Sequence, residues 1–145
     1  MAGADVVAVG PGLGRSHGAW ELLAAVIVAW EGPLVLDADA LNLLAVHREA
    51  AAAVHGPWVL TPHPGEMARL TGLSIAEVQA DRVGLAKRQA DAWQATVVLK
   101  GVPTVTAWPT GRVWLNPTGD PAMATGGMGD VLTGIIAGLI GQGVP

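Results

Sequence analysis

The sequence predicts an α/β fold, in which a mostly parallel β-sheet is covered by helices on both faces. Hydrophobic residues make up 51% of the chain and charged residues only 14%, a balance typical of a sheet buried on both sides. Short apolar runs recur along the chain, and most are followed by a polar or glycine-containing loop and a helical pattern. The chain has 145 residues, which is the length of one domain.

Composition also limits the function. The net charge is −4 and the eight Lys and Arg residues are scattered, so we expect no nucleic-acid partner. No apolar run reaches the roughly 18 residues needed to cross a membrane, and no basic segment opens the chain. We therefore expect no membrane partner and a cytoplasmic location. The chain has no cysteine, which excludes disulfides and thiolate metal sites.

The first unit is a strand at Asp5–Gly10, followed by the loop Gly10–Gly14 and a helix from about His17 to Trp30. A glycine loop between a strand and a helix is a common ligand-binding loop of α/β proteins. Such loops are about equally often only tight turns.

The second strand, Pro33–Leu36, ends in the segment Asp37–Asn42, where another helix begins. Carboxylates at the carboxyl end of a parallel strand lie where open α/β sheets bind ligands. Asp39 could equally be the N-cap of the helix, a role that Asp37 is less suited to fill.

The third strand, Trp58–Leu60, ends in Thr-Pro-His-Pro-Gly-Glu. The prolines on both sides of His63 fix the backbone there. This rigid setting favours a ligand-facing role for His63 over an ordinary surface role. Pro64 suits the first turn of the helix that continues through Leu70.

Ser74 and Glu77 form a capping box and predict the start of one long packing helix that reaches Trp93, to which we assign no chemistry. The fourth strand, Thr96–Leu99, ends in Lys-Gly-Val-Pro-Thr. Lys100 is either a solvated lysine or a phosphate contact, with equal weight. Two apolar runs around a Pro/Gly turn then predict a β-hairpin.

The segment Asn116–Asp130 is rich in glycine and runs into an apolar helix. Glycines and a helix N-terminus together present backbone N–H groups to an anion, most often phosphate. A carboxylate such as Asp130 does not bind phosphate, so it either caps the helix or accepts a proton from a group about to be phosphorylated. The helix after Asp130 is apolar nearly all round, which predicts that it is buried.

Five motifs carry a family resemblance: Gly-Pro-Gly-Leu-Gly, Leu-Asp-Ala-Asp-Ala-Leu-Asn, Leu-Thr-Pro-His-Pro-Gly-Glu-Met, Leu-Lys-Gly and Met-Ala-Thr-Gly-Gly-Met-Gly-Asp-Val-Leu-Thr-Gly. In this order they closely resemble the ADP/ATP-dependent NAD(P)H-hydrate dehydratase family of the ribokinase-like superfamily. The resemblance covers essentially the whole chain. Because family domains are nearly twice as long, it implies that residues 1–145 form a single, partial ribokinase-like domain.

The resemblance implies a repair reaction on the S form of NADHX or NADPHX, the hydrated forms of NADH and NADPH. The ring hydroxyl is phosphorylated by ADP, or by ATP, with Mg²⁺ bound to the nucleotide. Phosphate then leaves and NAD(P)H is restored. It also implies a homo-oligomer, since relatives tend to form tetramers.

The resemblance assigns roles to residues at the loops described above. Asp130 is the expected catalytic base and, with Gly12, Gly14 and His63, contacts the hydrate. The expected nucleotide contacts are Lys100, Gly101, Val102, Pro103, Thr104, Asn116, Thr118, Gly126, Gly127, Met128 and Gly129. Asp37, Asp39, Asn42 and Glu66 are expected to support the site from behind. No protein ligand is identified for Mg²⁺, which nucleotide phosphates and water would hold.

Two alternatives stay open. One is a small-molecule kinase of the same superfamily, of the hydroxymethylpyrimidine or hydroxyethylthiazole type. The other is a truncated nucleotide-binding protein without catalytic activity.

Overall fold

The computed structural model describes residues 3–120, 122 and 124–144, so Pro121 and Met123 of the predicted glycine-rich segment lie outside the described residues. Six strands form one sheet whose spatial order is also their order along the chain. They are β1 (Val7–Val9), β2 (Leu34–Leu36), β3 (Trp58–Leu60), β4 (Thr96–Leu99), β5 (Thr104–Ala107) and β6 (Val113–Asn116). Strands β1 to β4 are parallel, and β5 and β6 extend the sheet as an antiparallel hairpin. This confirms the predicted α/β class, the mostly parallel sheet and the hairpin.

Helices connect the parallel strands and follow the hairpin. They are α1 (His17–Ala29), α2 (Ala38–Val46), a 3-10 helix (Arg48–Ala53), α3 (Pro64–Thr71), α4 (Ile75–Ala80), α5 (Arg82–Trp93) and α6 (Met128–Gly141). No helix in the described part of the chain is long and apolar enough to cross a membrane.

The segment from Ser74 to Trp93 contains two helices, α4 and α5, so the prediction of one long helix there is wrong. The capping box of Ser74 and Glu77 forms as predicted and starts α4. Asp81 then leaves the helical conformation, at φ −142° and ψ 63°, and its side chain accepts a hydrogen bond from the Gly84 N–H. An aspartate that caps a new helix in this way ends the preceding one.

The hydrophobic core lies between one face of the sheet and helices α1 to α5. Alternate strand residues point into it, among them Leu34, Leu36, Leu60, Val97 and Leu99. Val35 and Val98 are also buried, but they lie outside that core cluster. Because strand side chains alternate between faces, these two valines belong to the opposite face of the sheet.

Helix α6 packs against β1 and β2, and the prediction that it is buried is wrong. Thr133 is its buried residue, whereas Val131, Ile135 and Leu139 are 55%, 53% and 45% exposed. Two short strands cover only one side of a helix. The apolar composition of α6 therefore exceeds what its neighbours in the described chain bury.

Candidate functional site

The predicted site residues collect at one edge of the sheet. Asp37 follows β2, His63 lies shortly after β3, and Lys100 follows β4. Because these strands are parallel, their carboxyl ends open onto the same edge. This is the edge at which open α/β sheets bind ligands.

Gly10 brings the first loop onto the end of β2. Its φ of 141° lies in a region that residues with a side chain rarely adopt. A Cβ at this position would lie 2.6 Å from the Asp37 carbonyl carbon and closer still to its oxygen. Only glycine fits there, so the backbone of the Gly10–Gly14 loop touches the backbone of Asp37.

The Asp39 side chain stabilises the same loop through a hydrogen bond and an ion pair. Its Oδ2 accepts a hydrogen bond from the Gly14 N–H at 3.0 Å, and the Arg15 Nε lies 3.7 Å from its Oδ1. The alternative that Asp39 is the N-cap of α2 is wrong, because the N-cap position is Asp37 and Asp39 lies in the first turn. Asp39 therefore holds a loop that we expect to face the hydrate.

Asp37 is the centre of a buried polar cluster. Its side chain is 1% exposed, and its Oδ1 accepts a hydrogen bond from the Lys100 Nζ at 2.7 Å. Its Oδ2 accepts a second bond from the Thr133 hydroxyl of α6 at 2.8 Å. Burial alone would raise the pKa of the Asp37 carboxyl, but the hydrogen bond and charge of Lys100, with the hydroxyl donors, lower it below its usual value. Asp37 is therefore a carboxylate at neutral pH.

His63 is held by the start of α3. Its Nδ1 accepts hydrogen bonds from the N–H groups of Gly65 and Glu66, at 2.9 and 3.3 Å. A ring nitrogen that accepts carries no proton, so in the neutral imidazole the proton is on Nε2. The ring is half exposed. The structure thus presents His63 as a hydrogen-bond donor through Nε2.

Glu66 connects His63 with the cluster around Asp37. Its Oε2 accepts a hydrogen bond from the His63 backbone N–H at 2.8 Å, and its Oε1 lies 3.5 Å from the His63 Nε2. The same carboxylate is 3.9 Å from the Lys100 Nζ. Lys100 thus lies between two buried carboxylates.

The glycine-rich segment ends at the N-terminus of α6, whose N-cap residue is Gly127, at φ 88°. No side chain of the described residues caps this end of the helix. Asp130 lies in the first turn and is exposed, so the alternative that it is the helix cap is wrong. At Gly129 a Cβ would lie 3.4 Å from the Lys100 Nζ and 3.5 Å from the Asp37 Oδ2. The start of α6 therefore rests on the Lys100–Asp37 pair.

Two other parts of the predicted nucleotide set form loops of their own. Asn116 accepts hydrogen bonds from the Thr118 N–H and hydroxyl, at 3.1 and 2.7 Å. In the loop after β4, the Gly101 N–H donates to the Thr104 hydroxyl at 3.3 Å, and Val102 is 73% exposed. Both loops are open to solvent, as a nucleotide contact requires.

Arg82 and Thr133 are two site residues that the sequence reasoning missed. The Arg82 guanidinium donates to the carbonyl oxygens of Leu99, Lys100 and Pro103, at 3.1, 3.2 and 2.9 Å, and so holds the loop after β4. No sequence signal marks Arg82 among the other charges of its helix. Thr133 was detectable in principle, because it is a lone hydroxyl on an apolar helix, one turn beyond Asp130.

Asn42 lies apart from these residues. Its Oδ1 accepts a hydrogen bond from the Arg69 Nε at 2.7 Å. It lines a cleft of about 250 Å³ together with Trp20 of α1 and His47, which directly follows α2. None of the residues predicted to contact the nucleotide or the hydrate lines this cleft.

The donor set fits Mg²⁺ that arrives with a nucleotide. Within the described residues, no group of three His, Cys, Asp or Glu side chains is placed to hold a metal ion. The two neighbouring carboxylates, Asp37 and Glu66, already face the Lys100 ammonium. Mg²⁺ commonly keeps several waters and binds through substrate phosphates, which requires no protein cage.

The sequence profile of the NAD(P)H-hydrate dehydratase family matches residues 1–145. The chain is 54% identical to a bifunctional NAD(P)H-hydrate repair enzyme of Moorella thermoacetica, over 99% of this chain and 27% of the relative. It is 43% identical to the ADP-dependent (S)-NAD(P)H-hydrate dehydratase of Bacillus subtilis, over 92% of this chain and 46% of the relative. The chain thus spans about a quarter of the first relative and about half of the second.

Solved structures of similar proteins have the same fold as this chain. The ADP/ATP-dependent NAD(P)H-hydrate dehydratase of Bacillus subtilis, co-crystallised with ATP and Mg²⁺, matches with a TM-score of 0.82 and 39% identity, over 97% of this chain and 49% of that one. A ribokinase-like superfamily protein of Enterococcus faecalis matches with a TM-score of 0.84 and 35% identity, over 96% and 48%. The fold predicted as ribokinase-like is therefore confirmed.

Proposed function

We propose, from the premise that the chain belongs to the NAD(P)H-hydrate dehydratase family, that it takes part in the ADP- or ATP-dependent dehydration of the S form of NAD(P)H hydrate. The chain spans about half the length of the relatives that are named only as the dehydratase. The dehydratase activity of the whole protein is therefore a proposal as well. So is the assignment of residues 1–145 to a single, partial ribokinase-like domain.

The observation that carries the proposal is the N-terminus of α6. It offers backbone N–H groups without a side-chain cap, next to the exposed carboxylate of Asp130. The N–H groups of Gly126, Gly127, Met128 and Gly129 would hold the transferring phosphoryl group, since phosphoryl transfer is catalysed mainly by positioning and charge stabilisation. Asp130 would accept the proton of the attacking hydroxyl.

The reaction balances with these groups. The ring hydroxyl oxygen bonds to the terminal phosphorus of ADP as the bond to the AMP oxygen breaks, and Asp130 takes the hydroxyl proton. The carbon–oxygen bond then breaks, and phosphate leaves with the bonding electrons. Loss of a proton from the adjacent ring carbon restores the double bond. The products are NAD(P)H, AMP and phosphate, or ADP and phosphate when ATP is used.

The remaining predicted residues take supporting roles in the proposal. His63, a donor through Nε2, and the loop containing Gly12 and Gly14 would contact the hydrate. The segment Lys100–Thr104, with Asn116 and Thr118, would contact the nucleotide. Mg²⁺, bound to the nucleotide phosphates, would neutralise charge on the transferring group. Assembly as a homo-oligomer remains a prediction of the family resemblance, and a cytoplasmic location remains a prediction of the sequence pattern.

The test is to incubate the chain with hydrated NADH, ADP and Mg²⁺ and to follow the absorbance of reduced nicotinamide. Asp130→Asn should slow recovery on the order of 10²-fold or more, because it removes the base. Asp91→Asn, on the exposed side of α5, is the matched control and should leave the rate within about twofold.

Three results would contradict the proposal. An Asp130→Asn variant as fast as the parent would overturn the role of the base. Phosphorylation of a pyrimidine or thiazole alcohol, without recovery of NADH, would favour the kinase alternative. ADP-induced thermal stabilisation without turnover would favour a silent nucleotide-binding protein.

A further inference from the structure

The Asp37 cluster joins the two sides of the proposed site, and the proposed function gives a ligand contact to only one of its members, Lys100. Four elements contribute one residue each: Asp37 at the start of α2, Glu66 of α3, Lys100 after β4, and Thr133 of α6. Asp37, Glu66 and Thr133 are 1%, 5% and 3% exposed. These side chains are too deep to be substrate ligands.

We infer that Thr133, Asp37, Lys100 and Glu66 are positioning residues that fix the N-terminus of α6, and with it Asp130, relative to His63. The inference rests on the proposed function for its catalytic consequence, but its geometry does not depend on any ligand.

A continuous series of contacts connects α6, on one side of the proposed site, with His63 on the other. The Thr133 hydroxyl donates to Asp37 at 2.8 Å, and Asp37 accepts from Lys100 at 2.7 Å. Lys100 lies 3.9 Å from Glu66, which accepts the His63 N–H at 2.8 Å. Thr133 lies three residues after Asp130, so both lie on the same side of α6, one turn apart.

The other side chains of α6 make few contacts that could hold the helix in place of the Thr133–Asp37 hydrogen bond. The apolar side chains at positions 131, 135 and 139 are about half exposed, so packing holds α6 over only part of its circumference. A hydrogen bond to a buried carboxylate is among the stronger and more directional contacts available to a side chain. The Thr133–Asp37 bond therefore sets where the first turn of α6 rests.

The cluster also gives Lys100 a role besides the proposed nucleotide contact. Its side chain is only 21% exposed, and its ammonium lies between two carboxylates. In this role Lys100 neutralises buried charge below the site. Backbone N–H groups of the glycine-rich segment, together with Mg²⁺, then provide the positive potential that the phosphoryl group needs.

The test compares Thr133→Val, which keeps the shape and removes the hydroxyl, with Thr133→Ser, which retains it. In the ligand-free protein, amide hydrogen exchange at residues 131–134 should be roughly tenfold faster in Thr133→Val and near the parent rate in Thr133→Ser. Thr71→Val is the matched control. It removes a hydroxyl that donates to the Met67 carbonyl at 2.8 Å on α3, and it should leave exchange in α6 unchanged.

Kinetic measurements on the same variants test the catalytic consequence, with kcat and KM determined separately. Misplacing Asp130 should lower kcat roughly tenfold in Thr133→Val, because alignment of the two substrates is disturbed. The KM for ADP should stay within about twofold, because each half of the site still binds its own ligand. A purely structural role would instead raise exchange throughout the chain and leave kcat per folded molecule unchanged.

Two outcomes would overturn the inference: unchanged exchange at residues 131–134 in Thr133→Val, or a raised KM for ADP with unchanged kcat. If Thr133→Val does not fold, Asp37→Asn replaces it, because the amide keeps the shape while losing the charge that Lys100 and Thr133 bind. An inactive parent chain would refute the proposed function, and the exchange measurement alone would then decide whether the cluster positions α6.

Discussion

Replacing Gly10 with alanine tests the close approach between the first loop and the end of β2. The new Cβ would lie 2.6 Å from the Asp37 carbonyl carbon, well inside van der Waals contact. The backbone at φ 141° adds strain of about 1–3 kcal/mol for a residue with a side chain. Overpacking against backbone adds about 1–3 kcal/mol more. We expect the free energy of unfolding to fall by about 4 kcal/mol in total.

Gly12→Ala is the matched control, because Gly12 has φ 69° and its Cβ would meet nothing within 4 Å. It should cost only about 1 kcal/mol, the penalty for a side chain in the left-handed region. Urea unfolding measures both values. The expected difference of about 3 kcal/mol corresponds to a gap in Tm of roughly 9 °C for a chain of this size. Equal destabilisation by the two substitutions would refute the reasoning, since Gly10 has both the contact with Asp37 and the rarer backbone conformation, and Gly12 has neither.

Three further predictions concern other parts of the molecule. The folded pKa of Asp37 is below the ordinary value of 3.8, so its contribution to stability is present above that pH and is lost as the pH falls through the folded pKa. Urea unfolding between about pH 5 and about pH 2 should therefore show a decline in stability, and Asp37→Asn should make that decline shallower; an identical slope would contradict the assignment. Arg82→Lys should destabilise the chain by about 2 kcal/mol, because the lysine side chain ends one bond short of Nη2, the nitrogen that contacts all three carbonyl oxygens. Arg88→Lys, on the exposed side of α5, is its control, and a loss as large as that of Arg82→Lys would contradict this prediction. Ile27→Ala, at a position 1% exposed, should cost about 2–5 kcal/mol in thermal or urea unfolding. Its neighbour Val28, 63% exposed, should tolerate alanine within about 0.5 kcal/mol, and equal losses would show that α1 buries a different face.

Local signals were sufficient to place most strands and helix starts. The strand Trp58–Leu60 and the fourth strand, Thr96–Leu99, have the predicted bounds, and the capping box at Ser74 forms as predicted. Each of these elements depends on residues within a few positions of one another. Asp81 shows the limit of such signals, because a capping aspartate inside an amphipathic pattern resembles an ordinary surface residue until the backbone is seen.

The position of α6 could not be predicted in the same way. Its composition indicates burial, but burial depends on how much surface the rest of the chain offers, and β1 and β2 offer little. The Lys100–Asp37 pair joins residues 63 positions apart. The sequence places both at strand ends, yet it does not show whether the lysine turns inward to a carboxylate or outward to a phosphate.

The order of the sheet has a consequence for synthesis. Each strand pairs with the strand that precedes it in the chain, so the sheet can grow progressively as the polypeptide lengthens, with few distant segments to bring together. Helix α6 departs from this order, because it returns from the hairpin to β1 and β2 and bonds to a residue 96 positions earlier. On the ribosome that contact forms after those of the sheet. A nascent chain can therefore assemble the core and the Lys100–Asp37 pair while the phosphate-binding end of α6 and Asp130 are still missing.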